Sequence, residues 1–216
     1  MLFWIASVVV LAIAYLLGAT PTGYLAGRWL KGVDLREHGS GSTGATNVLR
    51  TLGPGPGAAV LLVDVLKGAG AVVFARVVLA WTHASPAGLD PHASTPWVVA
   101  LAGLAALLGH SRSLWLNFTG GKSVAAGLGV LLAMSWPVGV GGLAVFAIAM
   151  AIFRIVSLGS ILAAMTAITL ACALPQPLAY RLLVIAGGIY VIARHRANIQ
   201  RLLAGTEPRL GQKQTS

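Results

Sequence analysis

Four polar clusters interrupt an apolar chain, and their residue types are those that bind anions. They are HGSGSTGATNVLR (38–50), GHSRSLWLNFTGGKSVAAG (109–127), RIVSLGS (154–160) and ARHRANIQRLLAGTE (193–207). Each combines glycine and small hydroxyl residues with at least one basic residue. Glycine lets backbone N–H groups converge on a ligand, because it adopts positive φ at no steric cost. Arginine and lysine add full positive charges. The clusters therefore indicate phosphate binding.

The first cluster has the composition of a phosphate cradle. Glycine and hydroxyl residues fill positions 39–44. A helix that starts near Thr46 or Asn47 would point its positive dipole end at the same place. Arg50 supplies a guanidinium that binds phosphate through two parallel hydrogen bonds. The alternative is a flexible Gly/Ser linker, which has no need of Asn47 or Arg50, so we favour phosphate binding.

The second cluster contains Gly121-Lys122-Ser123, which resembles the end of a nucleotide-binding P-loop. That motif needs a glycine five residues before the second one, and Leu116 stands there instead. The segment also enters an apolar stretch where a nucleotide-binding fold needs a strand, so a P-loop kinase is excluded. Lys122 either extends its charge to the membrane interface or contacts a ligand, and the local sequence leaves both open.

Two further groups of residues combine polar side chains at helical spacing. His195 and Asn198 lie at i and i+3, so they share one face of a helix and indicate a common partner. Asp64 and Lys67 have the same spacing inside an apolar stretch, where ionisable residues are costly and usually paired. We predict an internal ion pair for them, with a catalytic role as the alternative. His110 ends another apolar stretch and is either an interfacial histidine or a ligand.

The elements that position these clusters are membrane helices. Of the 216 residues, 57% are hydrophobic and 9% charged, and the mean hydropathy is +0.84, which is typical of a multi-spanning membrane protein. The formal charge of +10 comes from scattered basic residues that form no stripe, so we predict no nucleic-acid partner. Cys172 is the one cysteine, which excludes a disulfide or a cysteine metal cluster.

The chain contains seven apolar segments that approach the roughly 20 residues needed to cross a bilayer. We predict an all-α bundle of about seven transmembrane helices, with a single membrane domain over 1–207 and a short polar tail over 208–216. The segments are 2–26, 55–81, 96–110, 122–135, 137–154, 158–174 and 178–194.

The positions of the basic residues predict the orientation of this bundle. With the N-terminus outside and the C-terminus in the cytoplasm, twelve of the fifteen basic residues fall in cytoplasmic segments. The outer loop WTHASPAGLDPHASTP (81–96), which includes His83 and His92, contains none. This orientation puts all four polar clusters at the cytoplasmic surface. The twelve residues are Arg28, Lys31, Arg36, Arg50, Arg112, Lys122, Arg154, Arg194, Arg196, Arg201, Arg209 and Lys213.

Several separated motifs, in this order, resemble one known family. The chain is similar to the bacterial acyl-phosphate:glycerol-3-phosphate acyltransferases, small integral membrane enzymes of phospholipid biosynthesis. The motifs are KGVDLREHGSGSTGATNVLRTLG (31–53), LLVDVLKG (61–68), LGHSRSLWLNFTGGKSVAAGLGV (108–130), VSLGS (156–160) and RHRANIQRLLAGTE (194–207). The resemblance runs from the first apolar segment to about residue 207.

The resemblance implies transfer of a fatty acyl group from acyl phosphate to the sn-1 hydroxyl of glycerol 3-phosphate. The products would be lysophosphatidic acid and inorganic phosphate, with no metal and no cofactor. It further implies a bacterial cytoplasmic (inner) membrane enzyme whose site faces the cytoplasm among membrane lipid. A functional link to an enzyme that produces acyl phosphate follows from the reactivity of that donor.

The resemblance also implies roles for residues in the four clusters. Arg50, Lys122, His195 and Asn198 are expected to hold glycerol 3-phosphate, and Ser40 to grip the acyl phosphate; these five are the expected catalytic residues. Ser157 and Ser160 would close the site. The other expected substrate-binding residues are Gly41, Ser42, Gly44, Thr46, Asn47, His110, Gly120 and Gly121.

The chain departs from the family pattern at a few positions. Ser42 stands where the family usually has asparagine, and Ser123 and Ala126 replace a glycine and a threonine of its second motif. Ser-Arg-Ser follows His110 where aromatic and proline residues are common. These changes keep the residues small or polar, so they bear on the details of the site more than on the activity.

The residues favour direct transfer without an acyl-enzyme. Acyl phosphate is an activated mixed anhydride, so positioning and charge stabilisation suffice. The chain has no His-x4-Asp pair, and its few carboxylates are poorly placed for a general base; the acceptor's own phosphate would take the hydroxyl proton. The alternative from another class is a membrane transporter of a phosphorylated small solute, which usually binds its substrate near the midplane between repeated halves. We find no internal repeat, so we favour the enzyme.

Overall fold

The computed structural model describes residues 2–81 and 91–212, with the side chains of 91 and 92 excepted. The described residues form ten α-helices and two short 3-10 turns, which confirms the all-α prediction. The helices are α1 (Leu2–Ala19), α2 (Thr22–Lys31), α3 (Ala45–Leu52), α4 (Pro54–Trp81), α5 (Pro91–Ser111), α6 (Val124–Met134), α7 (Trp136–Phe153), α8 (Val156–Ala173), α9 (Leu178–Arg194) and α10 (Arg196–Leu203).

Five stretches of the described chain are long and apolar enough to cross a membrane. They are α1 with α2, α4, most of α5, α7 and α8. A sixth is added if α9 and α10, which meet at a 58° bend, form one span. α6 has 11 residues and is the short member of the bundle. The count of seven spans and the orientation of the termini stay predictions, and most of the expected outer loop, with His83 and the His92 side chain, lies outside the described residues.

Two helix boundaries differ from those expected from hydropathy. The first apolar segment breaks after Ala19, because Pro21 has no N–H to donate to the preceding turn. The third was expected to begin at Pro96, but the helix begins at Pro91 and carries Pro96 near its start. A proline this close to the start of a helix disturbs few backbone hydrogen bonds, which is why the boundary expectation was wrong.

The helices pack closely through small residues. α4 lies between α1 and α6, and α5 packs on α1 and α9. A Cβ on Gly68 or Gly129 of this region would overlap backbone atoms of Ala126 or Val65, so α4 and α6 touch backbone to backbone. Such contacts are typical of helices that associate in lipid. α6, α7, α8 and α9 complete the bundle as a ring in which each helix contacts the next.

Candidate functional site

One cavity of about 550 Å³ joins all four polar clusters at the same end of the bundle. The wall formed by the four clusters is polar and is called the upper part of the cavity. The lower part is apolar and runs between α6, α7, α8 and α9. Gly41, Gly120 and Gly121 do not line it but belong to the same loops. The other expected site residues do line it: Ser40, Ser42, Gly44, Thr46, Asn47, Arg50, His110, Lys122, Ser157, Ser160, His195 and Asn198. Residues scattered over about 160 positions of sequence therefore meet at one place.

Asn47 organises the glycine-rich loop from within. Its side chain is 1% exposed. Its Oδ1 accepts from the backbone N–H of Ser40 at 3.0 Å. Its Nδ2 lies 2.8–3.1 Å from three carbonyl oxygens of the loop, those of Leu35, His38 and Ser42. Because an amide has only two N–H hydrogens, this set already uses its full donor capacity. Asn47 shapes the cradle, and its helix α3 begins at Ala45 as the sequence predicted.

Glycine and serine complete the loop around Asn47. Gly39 and Gly41 have φ of +59° and +67°, a region that side chains with a Cβ rarely adopt. At Gly39 a Cβ would also overlap the side-chain oxygen Oδ1 of Asn47. Ser42 Oγ accepts from the backbone N–H of Gly44 at 3.2 Å, which is the turn that a short polar side chain makes with the backbone two residues on.

The Gly120-Gly121 turn is held against His110. The backbone N–H of Gly121 donates to the His110 carbonyl at 3.2 Å. A Cβ on Gly121 would overlap the His110 ring, and one on Gly120 would overlap the His110 carbonyl. Arg194 donates to the Gly121 carbonyl at 3.2 Å. The two glycines therefore permit a close approach that sets the position of the following residue, Lys122.

Lys122 begins a chain of hydrogen bonds across the cavity. Its Nζ donates to Asn198 Oδ1 at 2.6 Å, and Asn198 Nδ2 donates to Glu207 Oε1 at 2.5 Å. Ser157 Oγ donates to the same Glu207 oxygen at 2.7 Å. Arg201 Nε donates to the other oxygen at 2.6 Å. Sequence analysis gave Glu207 no role in the site; the structure puts its carboxylate at the junction of three segments.

Charge and burial shift the two ionisable ends of this network. Burial lowers the pKa of Lys122, opposed by the Glu207 carboxylate and reinforced by Arg201, Arg194 and Arg50. For Glu207, burial works against ionisation, but hydrogen bonds from Asn198, Ser157 and Arg201 outweigh it and lower the pKa. The site therefore holds a carboxylate among several cations, and its surplus of positive charge suits a phosphate dianion.

His195 lines the same cavity, and one of its two ring nitrogens is hydrogen-bonded to the backbone. Its Nδ1 lies 2.7 Å from the Val191 carbonyl. A carbonyl only accepts, so Nδ1 carries the hydrogen and Nε2 is the nitrogen left for a ligand. The ring follows the last turn of α9, and Asn198 lies on α10, beyond the bend. Their spacing predicted that the two residues share one face of a helix. In the structure they instead line the same cavity from either side of a helix break.

The predicted Asp64–Lys67 ion pair is present below the polar loops. Lys67 Nζ lies 2.8 Å from Asp64 Oδ1. The same Asp64 oxygen accepts from Thr22 Oγ1 at 2.6 Å, and Lys67 also donates to the Thr20 carbonyl at 2.9 Å. His110 Nδ1 is 3.7 Å from Asp64 Oδ1. The pair therefore ties α4 to the break between α1 and α2, where the first span loses its own backbone hydrogen bonds.

Comparisons with known proteins agree with this geometry. Residues 8–205 match the glycerol-3-phosphate acyltransferase family. The chain belongs to this family. It is 70% identical to glycerol-3-phosphate acyltransferase 2 of Rhizobium johnstonii, over 98% of this chain and 99% of that protein. It is 59% identical to a glycerol-3-phosphate acyltransferase of Acaryochloris marina, over 95% and 92%.

Solved structures of the family have the same fold. A crystal structure of an integral membrane glycerol 3-phosphate acyltransferase in its glycerol 3-phosphate form superposes with a TM-score of 0.83 at 38% identity, covering 95% of this chain and 96% of that one. The lysophosphatidic acid form superposes with a TM-score of 0.80 at 36% identity, covering 95% of each chain. The integral membrane fold of this chain is therefore that of the family.

Some of the residues that differ from the expected family pattern make hydrogen bonds in the structure. Ser123, which replaces a common glycine, has φ of +62°, and its Oγ donates to the Leu107 carbonyl at 2.7 Å. This hydrogen bond offsets the strain of a side chain in the left-handed region. After His110, Ser111 shares a hydrogen bond with the Tyr190 hydroxyl at 2.7 Å, and Ser113 donates to the Ala19 carbonyl at 2.6 Å. The two serines therefore form hydrogen bonds to residues of α9 and α1.

Proposed function

We propose that the protein transfers a fatty acyl group from acyl phosphate to the sn-1 hydroxyl of glycerol 3-phosphate. The products are lysophosphatidic acid and inorganic phosphate, which serve phospholipid biosynthesis. The family relationship supports acyl transfer to glycerol 3-phosphate, and the two related crystal structures hold this acceptor and this product. The observation that carries the proposal is a single cavity with a cationic, glycine-rich upper part and an apolar lower part.

The acceptor is held at the Lys122 side of the cavity. Lys122 and Arg50 supply positive charge to its phosphate, and His195 Nε2 and Asn198 supply neutral hydrogen bonds. Lys122 is hydrogen-bonded to Asn198 and lies within the electrostatic field of Glu207. An incoming phosphate therefore binds a lysine whose side chain is already held in position, which limits the conformational entropy lost on binding.

The donor phosphate lies in the cradle formed by residues 40–47. Ser40 and the backbone from Gly41 to Thr46 provide the donors, and the first turn of α3 points its positive end at the same place. Asn47 acts by fixing this loop. Ser157 and Ser160 close the site from α8, and His110 with Gly120 and Gly121 fixes the position of Lys122.

Transfer is direct. The acceptor hydroxyl attacks the acyl carbonyl, a new ester C–O bond forms, and the bond between the acyl carbon and the phosphate oxygen breaks. The leaving phosphate takes the electron pair of that bond, while the acceptor's own phosphate takes the hydroxyl proton. The protein contributes orientation and stabilises charge on both phosphates. No step requires a metal, a cofactor or a covalent enzyme intermediate.

The site faces the cytoplasm of a bacterium, with the protein in the cytoplasmic (inner) membrane. The distribution of basic residues supports this orientation. The donor is reactive towards water, so an enzyme that produces acyl phosphate must supply it nearby. Labelling of a Gln200→Cys variant in which Cys172 is replaced by serine tests the orientation, because a membrane-impermeant thiol reagent should reach this exposed position in inverted vesicles but not in intact cells.

Turnover by the purified protein tests the activity. Labelled glycerol 3-phosphate is supplied with palmitoyl phosphate and, in parallel, with palmitoyl-CoA. The expected result is that lysophosphatidic acid forms from the acyl phosphate alone. Product from palmitoyl-CoA would contradict the proposed acyl-phosphate donor, and no product from either donor would contradict the proposed reaction. Uptake of labelled glycerol 3-phosphate into sealed vesicles, without product, would instead identify a transporter.

Two variants and a control test the assigned phosphate contacts. Arg50→Ala and Lys122→Ala should each reduce transfer by on the order of a hundredfold or more, as expected when a charged contact to a transferring or anchoring phosphate is removed. Arg196→Ala removes the same charge from an exposed position that does not line the cavity and should leave turnover unchanged. Near-normal turnover of either site variant would contradict its assignment.

A further inference from the structure

The apolar part of the cavity is a pit bordered by four helices. α6 packs on α7, α7 on α8, α8 on α9 and α9 on α6. Most of the lining residues of α8 are small and recur at helical spacing, so one face of this helix borders the pit. On α8 they are Val156, Ser157, Ser160, Ala163, Ala164 and Ala167; on α9 they are Leu183, Val184, Gly187, Gly188 and Val191, and His195 follows directly after α9.

The pit has the depth of a long acyl chain. Along α8, the lining runs ten residues from Ser157 to Ala167, which is about 15 Å at 1.5 Å per residue. From His195, which directly follows α9, to Leu183 on that helix it runs twelve residues, which is about 18 Å. Each value is about half of the ~30 Å hydrocarbon core of a bilayer, the distance that one acyl chain spans in a leaflet.

The pit ends at a packed wall. The deepest lining residues on α7 and α8 are Gly139 and Ala167. Further along the helices come the buried residues Met134, Val138, Ala171 and Tyr180, which do not line the cavity. A Cβ on Gly139 would lie 2.8 Å from the Leu132 nitrogen, and one on Gly141 would overlap Leu170. The helices are therefore already in contact where the pit closes.

An exposed arginine braces this wall from the far side. Arg76 of α4 donates to the carbonyl oxygens of Ala133 and Met134 at 2.8 and 3.2 Å, where α6 ends. It also donates to the Tyr180 hydroxyl of α9 at 3.3 Å. These bonds satisfy carbonyls that the short helix leaves without partners. Because α4, α6 and α9 are joined there, the closed end does not yield easily to a longer chain.

We propose that this pit is a gauge of acyl-chain length, and that Ala163 and Ala167 of α8 set the longest chain the enzyme accepts. The acyl carbonyl must stay beside the phosphate-binding residues, so a chain lying in the pit extends towards the closed end. A chain too long for the pit either folds back or moves its carbonyl out of position, and a displacement of about 1 Å costs on the order of a hundredfold in rate. The inference rests on the proposed function, since it needs an acyl donor.

Leucine substitutions at two depths test the gauge. Ala167→Leu fills the closed end, and Ala163→Leu does so one turn, about 6 Å, nearer the phosphates. Ala144→Leu makes the same change on an exposed face of α7 and is the control. Each purified protein is given decanoyl, dodecanoyl, myristoyl, palmitoyl and stearoyl phosphate with labelled glycerol 3-phosphate. The readout is the ratio of turnover on long and short donors, which does not depend on how much of the variant is folded.

The gauge predicts an order of effects. Ala167→Leu should lower stearoyl and palmitoyl turnover relative to decanoyl by about tenfold or more, a typical result of removing pocket volume. Ala163→Leu should affect myristoyl phosphate as well, and Ala144→Leu should keep the wild-type ratios. If Ala167→Leu does not fold, Ala167→Val replaces it as a smaller increase in side-chain volume at the same position. Unchanged ratios in both pit variants would overturn the gauge while leaving the transfer reaction intact, whereas a wild-type protein inactive on every donor would overturn the proposed function instead.

Discussion

The Glu207 carboxylate should stabilise the fold and the acceptor site together, and Glu207→Gln isolates its charge. Glutamine keeps one oxygen for Ser157 and Asn198 but places an amide N–H₂ against Arg201 Nε. Two charge-assisted hydrogen bonds become neutral, each losing about 1 kcal/mol, and the ion pair is lost. Arg201 is 42% exposed, so its ion pair counts for no more than about 1 kcal/mol. The expected loss of stability is therefore about 2–3 kcal/mol.

Thermal unfolding in detergent measures this loss, with Glu37→Gln as the matched control. Glu37 undergoes the same chemical change at an exposed position that does not line the cavity, so its effect should stay within about 0.5 kcal/mol. For a chain of this size, the Glu207→Gln midpoint should fall by roughly 4–12 °C. The KM for glycerol 3-phosphate should also rise, because Asn198 no longer holds Lys122 in one orientation. Equal midpoints for the two variants would refute the network as a source of stability.

Three further outcomes follow from the site geometry. Asn47→Ala should raise the KM for acyl phosphate at least about tenfold, because the loop loses its internal hydrogen bonds; Gln200→Ala, which removes an exposed amide, is the control, and equal KM values would contradict the role. As the pH is raised, the KM for glycerol 3-phosphate should begin to rise before the pH reaches 10.5, the ordinary pKa of lysine. The reason is that burial lowers the pKa of Lys122 and that anion binding needs its charged form. A KM that stays constant until the pH exceeds 10.5 would contradict this. Ser123→Gly should be more stable than Ser123→Ala by about 1 kcal/mol in chemical unfolding, because both lose the hydrogen bond to Leu107 but only glycine relieves the positive φ; equal stability would mean that the backbone there is unstrained.

Sequence reasoning was most successful where a property depends on neighbours along the chain. Asp64 and Lys67 were predicted to pair because residues three apart on a helix are adjacent whatever the rest of the fold does, and they do pair. The start of α3 near Thr46 followed from local composition in the same way. Boundaries were less certain, since Pro91 and Pro96 both permit a helix start and only the packing of α5 on its neighbours decides between them.

The four polar clusters and the membrane class are determined by the sequence alone, because composition and hydropathy are sums over residues and need no coordinates. Which residues meet inside the cavity is decided by tertiary structure. Glu207 joins Ser157 across 50 positions, and Asn47 uses its amide on the loop itself. A hydrogen bond is made only within about 3 Å of its acceptor, and that distance depends on how α8, α9 and α10 pack and bend. The depth of the apolar pit is decided in the same way, by where four helices come into contact.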